Sequence, residues 1–313
     1  MRYIKITLLL VSMVILISCS KEKELTNGEG YVEVTGGKIW YRVYGQGNKT
    51  PILLLHGGPG YPSYYLNALS SLGKDRKIIT FDQLGCGRSD AITDTTIMTI
   101  ENFVEQTNKL LNSLGVQEFH LYGHSWGTML GADYYLKYPN GVKSIIFASP
   151  CLSIDRWTID SDSLISMLPD STQIVLRNNI KGISQDSVKL TNAINSYWST
   201  FYTRKLPTSP GFDSTVAHVG WNVYNYMWGP NDFYAIGTLK NYDRTKELSS
   251  IKVPTLYIAG DYDPARPNAL RYYQSLTPNS KVEIIKNAGH VTMDDNNSDY
   301  LKALTDFLDS IEE

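Results

Sequence analysis

The sequence has little of what marks several classes of protein. Its 313 residues carry a formal net charge of −2 and contain no basic block, which argues against nucleic acid as a partner. We find no metal-ligand spacing and no dinucleotide fingerprint, so we expect no cofactor. Repeats and low-complexity tracts are also absent. With 42% hydrophobic residues, the chain is long enough for one large α/β domain or for a core with an inserted subdomain.

Cysteine is scarce, with three residues in the chain. Cys86 and Cys151 follow different predicted strands, and nothing in the pattern makes those strands neighbours. We therefore expect both to be free thiols. The remaining residue, Cys19, ends the N-terminal segment and has a different explanation.

The N-terminus has the pattern of an export signal. Arg2 and Lys5 form a positive region, and the apolar run at 6–17 is too short to span a membrane as a mature helix. The run ends in Leu-Ile-Ser-Cys at 16–19, which is similar to a bacterial lipobox, where the cysteine is lipidated after cleavage. A plain signal peptide with an incidental cysteine is the alternative.

On the lipobox interpretation, residues 1–19 are a lipoprotein signal and residues 20–29 are a polar tether. Two acyl signals on one cysteine give stable anchoring. We therefore expect Cys19 to anchor the protein by lipid in the bacterial cell envelope, facing the periplasm or the outside. The sequence does not indicate which membrane leaflet holds the lipid.

The stretch Gly-His-Ser-Trp-Gly at 123–127 is the central motif. An apolar run at 119–122 predicts a buried strand before it, and 128–136 predicts a helix after it. Strand, Gly-x-Ser-x-Gly and helix together are typical of a nucleophile elbow, in which glycines permit a strained turn. We therefore predict Ser125 as the nucleophile and the backbone N–H of Trp126 as an oxyanion-hole donor.

A second glycine-rich loop follows the short apolar strand at 52–55. It reads His-Gly-Gly-Pro-Gly at 56–60, where the backbone approaches a ligand closely and Gly58 is placed to offer its N–H to an oxyanion. The loop at 82–89 is predicted to brace the oxyanion loop, with Arg88 as a structural ion-pair partner.

Strand and helix patterns alternate with short connections over most of the chain. This alternation predicts a mostly parallel, doubly wound α/β sheet with function at the carboxyl ends of its strands. Further strands are predicted at 31–35, 39–44, 77–81, 144–148, 255–259 and 282–285, and further helices from 100 to 114, at 265–276 and near the C-terminus.

Residues 151–240 interrupt this alternation. They lack buried strand patterns and hold many of the 22 tyrosines and 6 tryptophans of the chain. We predict that they form a helical cap over the active site, inserted into a core made of residues 30–150 and 241–313. We call residues 151–240 the cap segment.

The remaining catalytic candidates follow the last predicted strands. Serine, then acid, then histidine is the chain order of α/β hydrolases. His290 follows the strand at 282–285 and is predicted to be the general base. Asp263 is predicted to orient it, with Asp261 as the competing acid, because Asp263 lies further along the loop and has the better reach.

The motifs at 56–60, 82–89, 123–127 and 260–264 together resemble the proline iminopeptidase family, and most closely its tricorn-interacting aminopeptidase branch. The resemblance implies an α/β-hydrolase fold with a helical cap and the release of N-terminal residues, proline among them, from short peptides. It also implies carboxylates that hold the free amino group of the substrate. Asp232 stands where that branch has one such glutamate, and Pro264 stands where it has another.

Three hypotheses remain open at this level. A serine aminopeptidase acting through an acyl-enzyme is the first, and a small-ester or amide hydrolase on the same scaffold is the second. The third is a catalytically silent lipoprotein that binds a ligand or partner, against which the intact serine, acid and histidine argue. The sequence leaves the preferred N-terminal residue and the oligomeric state open.

Overall fold

A computed structural model describes residues 24–184 and 186–312. The predicted signal segment at 1–19, with Cys19, lies outside these residues, as does the first part of the predicted tether. In the part of the chain that is described, no helix combines the length and the hydropathy needed to cross a membrane.

The core is one eight-stranded sheet with the order β1-β2-β4-β3-β5-β6-β7-β8. The first two strands form an antiparallel hairpin, β2 also pairs antiparallel with β4, and all other neighbours are parallel. The predicted mostly parallel α/β-hydrolase sheet is therefore confirmed. The strands are β1 (Gly28–Val34), β2 (Gly37–Gly45), β3 (Lys49–Leu55), β4 (Arg76–Phe81), β5 (Phe119–His124), β6 (Val142–Ala148), β7 (Thr255–Gly260) and β8 (Ser280–Ile285).

Helices cover both faces of the sheet because successive side chains of its central strands point to opposite sides. In β3, Leu53 joins one buried cluster and Leu54 joins the other. The first cluster packs against helices α1 (Ile100–Leu114), α2 (Trp126–Lys137) and, further along the chain, α8 (Pro267–Leu276). The second packs against a 3-10 segment (Ser63–Lys74) and the C-terminal helices α9 (Thr292–Asp295) and α10 (Asn297–Glu312).

The connection from β6 to β7 carries five α-helices in the described residues. Part of it has a core of its own, in which Leu164, Leu176, Tyr197 and Phe233 are buried together. That a separate cap begins at residue 151 and ends at residue 240 remains a prediction. The helices are α3 (Ile154–Ile165), α4 (Asp170–Ile180), α5 (Ser187–Phe201), α6 (Pro210–Ala217) and α7 (Trp221–Met227).

Several predicted element boundaries differ from the observed ones, and two of these differences have a clear physical reason. β1 begins at Gly28, inside the predicted tether, because Gly28 and Glu29 pair with Val43 and Arg42 of β2. The helix predicted from 265 begins at Pro267, whose missing N–H and fixed φ suit the first helical position.

Candidate active site

The turn between β5 and α2 holds Ser125 in a strained conformation. Its φ of 55° and ψ of −120° lie where non-glycine residues are rarely found. A Cβ on Gly123 would lie 2.2 Å from the carbonyl oxygen of Gly127, and a Cβ on Gly127 would lie 2.3 Å from that of Leu55. A side chain at either glycine would therefore collide with the backbone, which explains why the turn has glycine at both positions.

Two acids follow β7, and one of them contacts the histidine that follows β8. Asp263 Oδ1 lies 2.8 Å from His290 Nδ1, and both residues are buried. Asp261 instead accepts a hydrogen bond from the amide of Ala288 at 3.3 Å. Because a carboxylate only accepts hydrogen bonds, Nδ1 carries the proton and Nε2 is left as the acceptor that a general base needs.

Ser125 and His290 line one cavity together with Gly58 and Asp232. In the residues that the structure describes, no hydrogen bond joins the Ser125 hydroxyl to the His290 ring. Such bonds are often long in a free enzyme and tighten when substrate binds. The arrangement brings the predicted nucleophile, base and amine-binding residue to one place.

The main chain of His290 is held from two sides. Its N–H donates to the carbonyl oxygen of Phe201 at 2.9 Å, at the end of α5. Its carbonyl oxygen accepts from His124 Nε2 at 2.9 Å and from Ser149 Oγ at 3.1 Å. The ring packs against Trp157, with 5.6 Å between the ring centroids. The cap segment and the elbow therefore fix this histidine together.

The two predicted oxyanion donors are free to bind a ligand. Neither the N–H of Gly58 nor that of Trp126 donates a hydrogen bond to another residue within 24–184 or 186–312. Gly58 has a φ of +113°, and a Cβ there would lie 2.5 Å from the N atom of Gly60. Glycine is required for this backbone path, which leaves the amide available to a developing negative charge.

The loop after β4 braces the oxyanion loop, as predicted. The N–H of Gln83 donates to His56 Nε2 at 2.9 Å, and its side-chain amide oxygen accepts from the indole of Trp126 at 2.8 Å. Arg88 pairs with the buried Asp82 at 2.7 Å, which supports its predicted structural role. The loop thus connects the two segments that carry the predicted oxyanion donors.

Asp232 presents a carboxylate to the cavity, and neutral groups hold it there. Trp198 Nε1 donates to Oδ2 at 2.7 Å, and the hydroxyl of Tyr224 donates to Oδ1. No described Lys, Arg or His forms an ion pair with it. Burial raises the pKa of Asp232, while the bonds from Tyr224 and Trp198 oppose the rise.

Sequence reasoning missed the residues that position this carboxylate. Trp198 and Tyr224 belong to the aromatic-rich cap segment, but its many aromatics gave no means of choosing between them. Pro264, also buried, brings no side-chain acceptor to the region. Asp232 is therefore the only acidic side chain among the described residues that line the cavity.

Cys86 and Cys151 are both free and buried, which confirms the expectation for the thiols. Burial raises the pKa of each well above its ordinary value, so neither is a reactive thiolate at neutral pH. Among the described residues, no group of three or more His, Cys, Asp or Glu side chains could hold a metal ion.

The buried ring of His124 is expected to lower the free energy of unfolding at acidic pH. Burial, and then the nearby His290, lower the pKa of His124 from 6.5 to about 3. At pH values between these two pKa values, His124 binds a proton in the unfolded chain but not in the folded chain. The free energy of unfolding therefore falls as the pH falls below about 6.5. From pH 7 to pH 5 this ring alone should remove about 2 kcal/mol.

Urea unfolding at the two pH values tests this effect. His124→Gln lacks the titrating ring, so its free energy of unfolding should fall by about 2 kcal/mol less than that of the wild type. His218 is exposed, and His218→Gln should follow the wild type. An equally steep fall in His124→Gln would contradict the prediction.

Comparisons with known proteins agree with this geometry. A family model described as the alpha/beta hydrolase fold matches residues 50–297. The proline iminopeptidase of Heyndrickxia coagulans is 40% identical over 286 residues, covering 90% of this chain and 99% of that protein. That of Clostridioides difficile (strain 630) is 31% identical, covering 90% and 98%.

A solved structure extends the likeness to three dimensions. The crystal structure of a proline iminopeptidase from Mycobacterium smegmatis matches with a TM-score of 0.85 and 26% identity, covering 91% of this chain and 98% of that one. The fold, the elbow and near full-length sequence similarity lead to one conclusion. The chain belongs to the proline iminopeptidase family of α/β hydrolases.

Proposed function

We propose that this protein is a serine aminopeptidase that releases N-terminal residues, proline or other and often apolar, from short peptides through an acyl-enzyme. Family membership supports hydrolysis by a serine nucleophile. The observation that carries the substrate class is Asp232, a carboxylate that has no cationic partner among the described residues and faces the same cavity as Ser125.

A carboxylate in this position favours a cationic ligand. Leaving a buried charge without a counter-ion costs several kcal/mol, of the order of 3–5 when a partner is removed. The ammonium group of a peptide N-terminus supplies the missing positive charge. Since Asp232 and Ser125 line one cavity, a bound N-terminus brings the first peptide bond towards the hydroxyl of Ser125.

Aromatic side chains form much of the remaining wall. Trp157, Tyr202, Phe212 and Trp228 line the cavity, and all four are buried. Such a wall accepts an apolar side chain or a proline ring, and aromatic faces also attract a cation. The chamber therefore suits one apolar N-terminal residue.

The proposed steps follow from the positions of the polar groups. Ser125 Oγ attacks the scissile carbonyl carbon while His290 Nε2 takes the hydroxyl proton, and Asp263 stabilises the resulting imidazolium. The N–H groups of Gly58 and Trp126 bind the oxyanion. His290 then returns the proton to the leaving amine, and a water molecule, activated in the same way, hydrolyses the acyl-enzyme and restores Ser125.

Asp232→Asn tests the substrate class. The amide keeps the shape, and it can accept from Trp198 and donate to the Tyr224 oxygen, but it removes the charge. For substrates with a free amino group, kcat/KM should fall roughly 10–1000-fold. N-acetylated arylamides and simple esters present no ammonium, so their kcat/KM should change little.

Asp162→Asn is the matched control, because Asp162 is a half-exposed carboxylate of the cap segment that pairs with Arg177. This substitution should leave kcat/KM nearly unchanged for free-amine substrates and for acetylated substrates alike. Equal losses on free-amine and acetylated substrates in Asp232→Asn would reject the aminopeptidase assignment.

One observation favours a second function, a small-ester or amide hydrolase. Both carboxylate oxygens of Asp232 already accept a hydrogen bond, and Pro264 supplies no second acceptor. If these bonds make the carboxylate a purely structural group, simple esters should be turned over at least as well as aminoacyl arylamides. The substrate comparison above separates the two functions.

We also propose that the protein is a lipoprotein of the bacterial cell envelope, anchored through Cys19 and facing the periplasm or the outside. The support is the N-terminal pattern alone, a basic start and an apolar run that ends in Leu-Ile-Ser-Cys at 16–19. Membrane contact on this proposal is made by the N-terminal lipid, and the substrate is a short peptide.

Cys19→Ser should move the protein out of the membrane fraction without lowering its specific activity. The thiol is the attachment point of the lipid, and residues 24–27 precede the first strand as irregular chain. Fractionation and an activity assay measure the two quantities. Retention of the variant in carbonate-washed membranes would rule out the lipid anchor.

A further inference from the structure

A continuous chain of hydrogen bonds joins the oxyanion loop to the main chain of His290. The N–H of Gly57 donates to the hydroxyl oxygen of Tyr65 at 2.9 Å. That hydroxyl lies 2.8 Å from His124 Nδ1, and His124 Nε2 lies 2.9 Å from the carbonyl oxygen of His290. We call Tyr65 and His124 together the Tyr65–His124 bridge.

The protons of this bridge have one consistent arrangement. The carbonyl oxygen of His290 only accepts, so His124 Nε2 carries the proton that it donates. In a neutral imidazole Nδ1 is then an acceptor, and the hydroxyl of Tyr65 must donate to it. The lone pairs of the Tyr65 oxygen remain for the N–H of Gly57. Every polar atom of the bridge is satisfied, which favours a rigid, specific geometry.

The bridge is buried and closely packed. Tyr65 is 4% exposed and His124 is 3% exposed. A Cβ on Gly57 would lie 3.2 Å from the Cβ of Ser125 and 3.3 Å from His124 Nδ1, so the oxyanion loop rests directly on the elbow. Small shifts of either side chain would therefore be passed to both ends of the chain of hydrogen bonds.

We propose that Tyr65 and His124 are positioning residues that fix the distance between the oxyanion donors and the catalytic base. One end of the bridge holds the residue before Gly58, and the other end holds the carbonyl of His290. The inference rests on the proposed serine-hydrolase chemistry, but it does not depend on the peptide substrate. It assigns to His124 a role that its place beside Ser125 in the elbow does not reveal.

Tyr65→Phe tests the bridge, because it removes one hydroxyl and keeps the ring that lines the cavity. A misplacement of catalytic groups by a fraction of an ångström to 1 Å costs up to about 100-fold in rate, so kcat should fall roughly 10–100-fold. KM should stay within about 3-fold of the wild-type value, because Asp232 and the aromatic wall are unchanged.

A matched control separates positioning from a general loss of stability. Tyr257 is also a buried tyrosine, and its hydroxyl lies 2.7 Å from Thr277 Oγ1, away from the bridge. Tyr257→Phe should lower the thermal midpoint as Tyr65→Phe does, yet keep kcat within about 2-fold. A similar loss of kcat in both variants would overturn the inference.

Substitutions of His124 test the two arms separately. In His124→Gln the side-chain amide extends towards the position of Nε2 and can still donate to the carbonyl oxygen of His290. In His124→Asn the amide lies near the position of Nδ1 and can still accept from the hydroxyl of Tyr65. Since the arms act in series, Tyr65→Phe combined with His124→Gln should lose about as much kcat as the worse single variant. If the loss of kcat in the double variant equals the product of the two single losses, the two residues act independently and the inference is overturned.

The rate of Ser125 labelling by a fluorophosphonate gives a readout that is independent of the substrate. Tyr65→Phe should be labelled roughly 10–100-fold more slowly than the wild type. If the wild type is labelled and Tyr65→Phe is labelled equally fast, the bridge has no positioning role. If the wild type is not labelled at all, the proposed serine chemistry fails, which is a different result.

Discussion

Ser125→Ala is expected to lower kcat by a factor of the order of 10⁴–10⁶. The substitution removes the proposed nucleophilic oxygen, so only the proposed oxyanion donors and substrate binding would contribute to catalysis. Ser125 Oγ forms no hydrogen bond within the described residues, and alanine keeps the Cβ. The thermal midpoint should therefore change little, and turnover of aminoacyl arylamides measures the catalytic loss.

Ser113→Ala serves as the control, because Ser113 lies on α1 and its hydroxyl bonds only to the carbonyl oxygen of Leu110 among the described residues. Its kcat should match that of the wild type. If Ser125→Ala retained more than about 1% of the wild-type kcat after purification from a host free of related hydrolases, Ser125 would not be the nucleophile.

Asp263→Asn is expected to have the second largest effect, a loss of roughly 10⁴ in kcat, as in serine hydrolases generally when the acid becomes an amide. The amide turns an N–H donor towards His290 Nδ1, and this holds the ring in the other tautomer, whose Nε2 carries a proton and no longer accepts that of the serine. The carboxylate of Asp232, the proposed amine-binding group, is untouched, so KM should change much less than kcat.

Asp261→Asn is the matched comparison, two residues earlier on the same loop. Asp261 accepts from the amide of Ala288 and does not contact the His290 ring, so we expect less than about a 10-fold loss in kcat. Steady-state kinetics of both variants decide the assignment. A larger loss in Asp261→Asn than in Asp263→Asn would reverse it.

Local patterns predicted the catalytic end of the sheet well. The strand before Ser125 and the helix after it follow from an apolar run and a helical stretch, and the glycines at 123 and 127 follow from the close approach that a nucleophile elbow needs. Reach along the loop favoured Asp263 over Asp261. The contact with His290 agrees with that choice.

Contacts between distant segments could not be predicted in the same way. Tyr65 and His124 are 59 residues apart, and neither position has a local periodicity that pairs it with the other. Trp198 holds Asp232 from 34 residues away, in a segment where aromatic residues are so common that composition distinguishes none of them. Tertiary packing, which no short window of sequence contains, decides these contacts.

The start of β1 is another feature that the local sequence could not predict. Gly28 and Glu29 look like the end of a polar tether, because glycine and a charged residue are poor strand formers. Pairing with Val43 and Arg42 of β2 nevertheless extends the strand to Gly28. The partner strand, rather than the local propensity, sets this boundary.

The most direct test of the account is the comparison of a prolyl arylamide with its N-acetyl derivative on the wild-type enzyme. The two substrates share the scissile bond and the proline ring and differ in the charge of the amine. If Asp232 binds that amine, kcat/KM should be roughly 10–1000-fold higher for the free amine. Equal values, or a preference for the acetylated substrate, would contradict the aminopeptidase assignment.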